Sequence, residues 1–358
     1  MRLVSPFETS FGVEADRECI LVRLEERGGE EGWGEVVASS GPWYSHEMTE
    51  CEWYLIVKYL AGEVVGSEFD HPEDLWDTRI ARVRGHNMAK AGIDMALWDL
   101  YARKEGRSLS KVIGGVKDRI ECGVSLGIRR RVEDLLEDVR RYLELGYRRI
   151  KIKIKKGWDV DVVRRIREEH PEIPLQVDAN AAYTLKDVDI LEKLDAYNLL
   201  MIEQPLSYDD LFFHSLLAKR IKTPICLDES ITSLEKAVKA FEMKSCRVIN
   251  IKPGRVGGIT VSKDIHDFCL KVGMPVWIGG MLETGVGRAH LVALASLPGV
   301  AYPSDISASK RYYERDIVEP EWTVEDGYMA VPKESGIGVE VLEGEIKKHL
   351  VKYVEIKE

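Results

Sequence analysis

The chain carries no surplus of positive charge: its 358 residues hold 51 Lys and Arg against 61 Asp and Glu, a formal net charge of −10. Sequence-independent nucleic-acid binding rests on a basic surface that neutralises phosphates, so that class is excluded. The clusters Arg129-Arg130-Arg131, Arg140-Arg141 and Arg164-Arg165 are interleaved with Asp and Glu and read as solvated helix faces. No apolar run approaches the roughly 18 residues of a membrane span, and the opening MRLVSPFETSFGVE lacks the apolar stretch of a signal peptide, so a cytoplasmic protein is expected. The six cysteines, at 19, 51, 122, 226, 246 and 269, include no C-x-x-C pair and no histidines at zinc spacing. Reduced, mostly buried thiols are expected in place of disulfides or zinc. No G-x-G-x-x-G follows the first strand and no G-x-x-x-x-G-K-[ST] occurs, so nucleotide binding has no support.

What is present is a change of pattern near residue 115. Before it, Glu18 to Glu25 and Gly32 to Ala38 read as the two strands of a hairpin, and Asn87 to about Lys104 as a helix that ends before Gly106. After it, short apolar runs alternate with helical segments. The runs are 121–128, 149–155, 174–178, 199–203, 224–228, 247–252, 274–280 and 299–305. Eight strands without alternating polarity, separated by helices, indicate a parallel sheet covered outside by helices and favour a closed barrel over an open sheet. A barrel takes about 250 residues and leaves about 110 for the rest. The division expected is an α+β capping domain over 1–115, a barrel over 116–320 and a segment over 321–358 that packs back on the cap.

Five ionisable residues stand where the runs stop: Lys153, Asp178, Glu203, Asp228 and Lys252, at spacings of 25, 25, 25 and 24 residues. One βα unit has about that length, so each falls at the same level on a successive strand. In RIKIKIK the isoleucines face the helices, so Lys151 and Lys153 point into the barrel; by the same parity so do Asp178, Glu203, Asp228 and Lys252. Ionised carboxylates crowded in a poorly hydrated mouth repel one another unless a cation joins them. Three oxygen ligands without His or Cys select a hard ion, Mg²⁺, for which Mn²⁺ can substitute. Burial, the cation and Lys151 each lower the pKa of Lys153 from about 10.4, and nearby acids oppose the shift. The chemistry this suits is removal of a proton beside a carboxylate, because the enediolate formed needs positive charge around it.

The motifs RIKIKI, QVDAN, IEQP, CLDES, NIKPGRVGG and GGMLETGVGRA, supported by PFETSFG, GWGE, WYSHE and SDISASKRYY, resemble the enolase superfamily. Members of that superfamily pair a lysine or histidine base with Mg²⁺, so the proton-abstraction chemistry has an established precedent and is not independent of it. The subgroup the motifs resemble is that of the muconate cycloisomerases, and within it the o-succinylbenzoate synthase and N-acylamino acid racemase branch. The resemblance implies a (β/α)7β TIM-like barrel under an N-terminal α+β cap, with Mg²⁺ on Asp178, Glu203 and Asp228. It makes Lys153 the acid/base on one face and Lys252 its counterpart on the other. Ser125, Lys151, Asn180, Arg255, Gly280 and Met281 match positions that bind substrate. Loops over about Glu8 to Glu18 and Gly41 to Met48 would close the mouth, with Phe11, Trp43 and Tyr44 toward an apolar substrate. The resemblance also implies a small-molecule carboxylate substrate and a homo-oligomer. Syn dehydration in menaquinone biosynthesis is the leading activity, with N-acylamino acid racemisation as an accompanying or main role. A cycloisomerase or dipeptide epimerase is less favoured. Epimerases carry Asp-x-Asp on strand 8, where this chain has Asp305-Ile306-Ser307, and no His ends strand 6 or 7 as in mandelate-racemase-like members. A non-catalytic barrel would be favoured by loss of one of the five groups, and none is lost.

Overall fold

The computed structural model describes residues 1–357. Seven parallel strands form one sheet in chain order: Gly123–Leu126, Arg149–Lys153, Leu175–Asp178, Ile202–Glu203, Ile225–Leu227, Val248–Ile251 and Val276–Ile278. The eighth run does not form a regular strand. It bridges singly to both edges, Val276 with Val300 and Cys122 with Ser304, and so closes the barrel. Ala301 and Asp305 donate backbone N–H groups to Val276 and Ile278, and Gly123 donates to Ser304. Pro303, lacking an N–H, interrupts the ladder between them.

Amphipathic helices cover the outside. The first, Val132–Glu144, buries Leu135, Leu136, Val139 and Tyr142 and stops before Gly146 at φ +83°. A Cβ on Gly146 would lie 2.8 Å from the backbone of Asp326, so the residue serves both conformation and close approach. His266 and His290 are buried inside the helices Ile259–Val272 and Gly285–Ala295, away from the strand ends.

The N-terminal unit is built around the antiparallel pair Ile20–Glu25 and Glu31–Val36, backed by the helix Asn87–Lys104. The GWGE sequence explains their contact. Gly32 and Gly34 face the helix, and a Cβ on either would lie 2.2 Å and 1.9 Å from the carbonyl oxygens of Ala96 and Gly92. The helix is buried on nearly every side because it also meets the barrel.

Two buried carboxylates of this unit reach N-termini of barrel helices. Glu35 accepts from the N–H and hydroxyl of Thr284 and the N–H of Gly287; Asp94 accepts from the N–H and hydroxyl of Thr260. Each satisfies donors that a helix start leaves open and meets the positive end of its dipole. Asp94→Ala strands buried donors and is expected to cost about 2–3 kcal/mol, read as a lower urea midpoint at unchanged slope. The C-terminal segment pairs Tyr328–Ala330 with Arg119–Glu121, and Ile337 donates its N–H to Asp99 of the helix 87–104. All six cysteines are free, four of them buried.

Candidate active site

The barrel interior is layered. Met201, Cys226, Val248 and Trp277 form an apolar floor, in which the Trp277 indole N–H donates to Cys226 Sγ at 3.3 Å. Above it, Arg149 and Lys151 lie 4.7 Å and 4.9 Å from the Trp277 ring centroid. Arg149 binds Asp305, Gln176 Oε1 and the Pro303 carbonyl. Lys151 Nζ meets Asp305 at 2.6 Å, Glu203 at 2.9 Å and Asp178 at 3.3 Å. Burial opposes its charge, but Asp305, Glu203 and Asp178 outweigh burial and hold the ammonium form above the ordinary lysine range.

At the mouth, Lys153 Nζ donates to Asp178 at 2.6 Å and to Asn180 Oδ1 at 2.8 Å. Lys252 Nζ donates to Asp228 at 2.7 Å and to the Tyr44 hydroxyl at 3.3 Å. Burial favours protonated Asp178, yet Lys153 and Lys151 bring it down to about 2. Burial likewise opposes the charge of Lys252, and Tyr44, Glu229, Glu203 and Asp178 raise it above the ordinary value.

Strand register accounts for the convergence. Hydrogen-bonded neighbours run Lys153, Asp178, Glu203, Cys226, Val248. Asp228 therefore lies two residues beyond the neighbour of Glu203, and Lys252 two further beyond the neighbour of Asp228. In a barrel of shear eight, strands tilt so that a constant height is gained by about one residue per strand. Four residues over four steps keep the five groups level along the axis.

Among the other residues expected to bind substrate, Ser125 stands in register with Lys151 and its buried hydroxyl has no partner among the described residues. Gly280 packs so closely on the Asp305 carbonyl that a Cβ would lie 2.6 Å from it. Met281 packs with Tyr44 against the cap cluster of Ile20, Val36, Val37, Ala38 and Met88. Two further residues of the expected set are engaged by protein acids. Lys151 is engaged by three carboxylates beneath the mouth. Arg255 directs its guanidinium to Asp228, Ile231 O and Asn250 O. Parity turns Lys151 inward, Arg255 follows Lys252 by three positions, and both side chains are long enough to reach these acids. Of the cap aromatics, Phe11 and Tyr44 meet as a tilted pair with ring centroids 6.2 Å apart, whereas Trp43 is 70% exposed.

Three groups of the site stand outside the sequence-based set: Arg149, Asp305 as the partner of Arg149 and Lys151, and Glu229. Arg149 shares the parity of Lys151 and Lys153, and Glu229 is the second acid of CLDES, so both leave a signal in the sequence. Glu229 is buried; burial and then the charge of Asp178 raise its pKa.

The donor set fits a hard cation. Asp178, Glu203 and Asp228 are fully buried, come from adjacent strands, and already hold positive charge on their oxygens. Ammonium groups stand between them, and no three such ligands converge to metal-binding distance among the described residues. Five buried carboxylates, Asp178, Glu203, Asp228, Glu229 and Asp305, face five buried cations, Arg149, Lys151, Lys153, Lys252 and Arg255. Positive charge added among these cations favours loss of a proton from a lysine, the state a general base requires.

Residues 1–114 match the family model of the mandelate racemase / muconate lactonizing enzyme N-terminal domain, and 134–345 the enolase C-terminal domain-like model. An o-succinylbenzoate synthase of Geobacillus stearothermophilus is 50% identical over 349 residues, 98% of this chain and 93% of that protein. An N-succinylamino acid racemase of Thermus thermophilus is 49% identical over 93% of this chain and 90% of its own length. A crystal structure of an enolase superfamily member from Listeria innocua superposes with a TM-score of 0.94 at 39% identity, covering 97% of this chain and 94% of that one. With both domains matched and the lysines and carboxylates gathered at the barrel mouth, the chain belongs to the enolase superfamily, in its muconate-cycloisomerase subgroup.

Proposed function

We propose that this enzyme removes the α-proton of a small carboxylate substrate and acts as an o-succinylbenzoate synthase. The observation that carries the reading is the pair of lysines, Lys153 and Lys252, flanking three buried carboxylates at one mouth. Asp178, Glu203 and Asp228 would hold Mg²⁺. Bound there, the ion supplies positive charge as negative charge develops on the substrate carboxylate. Lys153 takes the α-proton and, as the ammonium, returns a proton to the departing hydroxyl, so that water leaves and the ring becomes aromatic. Lys252 stabilises the enediolate from the other side. Ser125 and Asn180 line the site, and residues 8–18 and 41–48 close it as part of a cap over 1–115, with the barrel over 116–320 and the remaining segment completing the cap.

The second lysine also favours racemisation of N-succinylamino acids in the same pocket, because a proton can be delivered to either face. The names of the relatives divide between the same two activities. Purified protein is expected to dehydrate the hydroxycyclohexadiene carboxylate; no turnover of it, beside racemisation of N-succinylamino acids, would make racemisation the main role. Chelation is expected to abolish both reactions and added Mg²⁺ to restore them, checked by assay before and after dialysis against a chelator. We also propose a cytoplasmic homo-oligomer. No described helix is long and apolar enough to cross a membrane.

A further inference from the structure

Glu229 is a buried carboxylate for which the pairing at the mouth gives no account. Oε1 accepts from Asn180 Nδ2 at 2.9 Å, and Oε2 is buried with no partner among the described residues. A carboxylate taken out of water and given a single hydrogen bond is a net cost to the fold. Its one partner leads to the chemistry, because Asn180 Oδ1 accepts from Lys153 Nζ at 2.8 Å.

We propose that Glu229 is a positioning residue that sets the Asn180 amide so that its oxygen faces Lys153 and aims the ε-amino group at the substrate α-carbon. The inference rests on the α-proton chemistry proposed above. Its physical basis is the direction of the chain. A carboxylate only accepts, so it selects the NH₂ end of the Asn180 amide; the oxygen is then left for Lys153, which only donates when protonated. The backbone of Asn180 is fixed independently. It lies at φ +41°, its N–H donates to Asp178 Oδ1 at 3.0 Å, and its carbonyl accepts from Ser10 of the cap loop at 3.2 Å. What remains free is rotation of the amide, and Glu229 removes it. Without Glu229 the NH₂ end can turn toward the ammonium, where donor meets donor and Lys153 loses an acceptor. The charges of Asp178 and Lys252 and the Tyr44 hydroxyl also act on Glu229, but only Asn180 is held by Glu229 through a side-chain hydrogen bond.

The test uses the full-length Mg²⁺-loaded protein and follows turnover and α-proton exchange in D₂O on whichever of the two proposed substrates the wild type converts. Glu229→Ala is expected to lower kcat at least about tenfold, since small misplacement of a reacting group carries penalties of that order, with KM and the Mg²⁺ activation constant unchanged. Glu229→Gln keeps an amide oxygen for Asn180 and is expected to recover most of the loss. Asn180→Ala cuts the same chain with Glu229 in place and should reproduce the kcat defect, also if Glu229→Ala does not fold. The double variant should be no slower than Asn180→Ala. A defect confined to KM or Mg²⁺ activation, a Gln variant as impaired as the Ala variant, or additive losses in the double variant would each overturn the assignment. Wild-type protein that exchanges no α-proton in either substrate would overturn the functional reading and this inference together.

Discussion

Lys153→Ala is expected to lower dehydration and racemisation alike by about 10³-fold or more, the range that a positioned general base contributes. The loss should fall on chemistry and not on folding. Asp178 keeps Lys151 at 3.3 Å and the Asn180 N–H at 3.0 Å when Lys153 is removed, so its buried charge retains partners. Mg²⁺ binding should persist, and tighten, because the ammonium now on Asp178 at 2.6 Å no longer competes for that oxygen. Calorimetric Mg²⁺ titration, circular dichroism and single-substrate kinetics on the same preparation separate these effects. Near wild-type turnover of either substrate would remove Lys153 from the mechanism.

The second large effect is selective. Lys252→Ala is expected to abolish racemisation, by about 10³-fold or more, while exchange of the α-proton with retention continues for one enantiomer of an N-succinylamino acid. In the proposed mechanism each lysine serves one face of a planar intermediate, so loss of one carrier blocks inversion but leaves the other face able to give and take its proton. The structure again limits collateral damage, because Asp228 retains Arg255 and the Tyr44 hydroxyl. Chiral analysis together with deuterium incorporation reads both outcomes from one sample. Racemisation near the wild-type rate would defeat the two-base arrangement, and equal loss of exchange from both enantiomers would show that Lys252 acts only through its charge on the enediolate and carries no proton.

Much of the fold is legible in the sequence because periodic features are local. The helix Asn87–Lys104 runs to the position at which Glu105-Gly106 ends its pattern, and Gly106 takes φ +62°. The barrel strands fall within the apolar runs, and the hairpin pairs as Ile20 with Val36 through Glu25 with Glu31. The eighth run has the apolar character of a strand between turns. In the structure Pro303 and the need to reach both edges at once reduce it to single bridges. The gathering of the candidate site residues at one mouth is legible for the same reason: spacing and parity fix which side chains enter a barrel.

Partners are less legible, because a long side chain can satisfy its charge in more than one direction. Lys151 and Arg255 occupy motif positions that suggest ligand contacts, and they are bound to protein acids. Glu229 is masked in the sequence by Asp228, one residue earlier, which accounts for the acid of CLDES. Only the approach of Asn180, 49 positions away in the chain, gives it a role. By itself, then, the sequence indicated the seven regular barrel strands, the cap hairpin, the helix 87–104, the inward parity, and a candidate set of two lysines and three carboxylates, all of which follow from residue type and spacing. The tertiary structure alone decided which charge meets which, since barrel closure and shear bring strands into a register that no local period encodes, and hydrogen bonds across that register choose the partners.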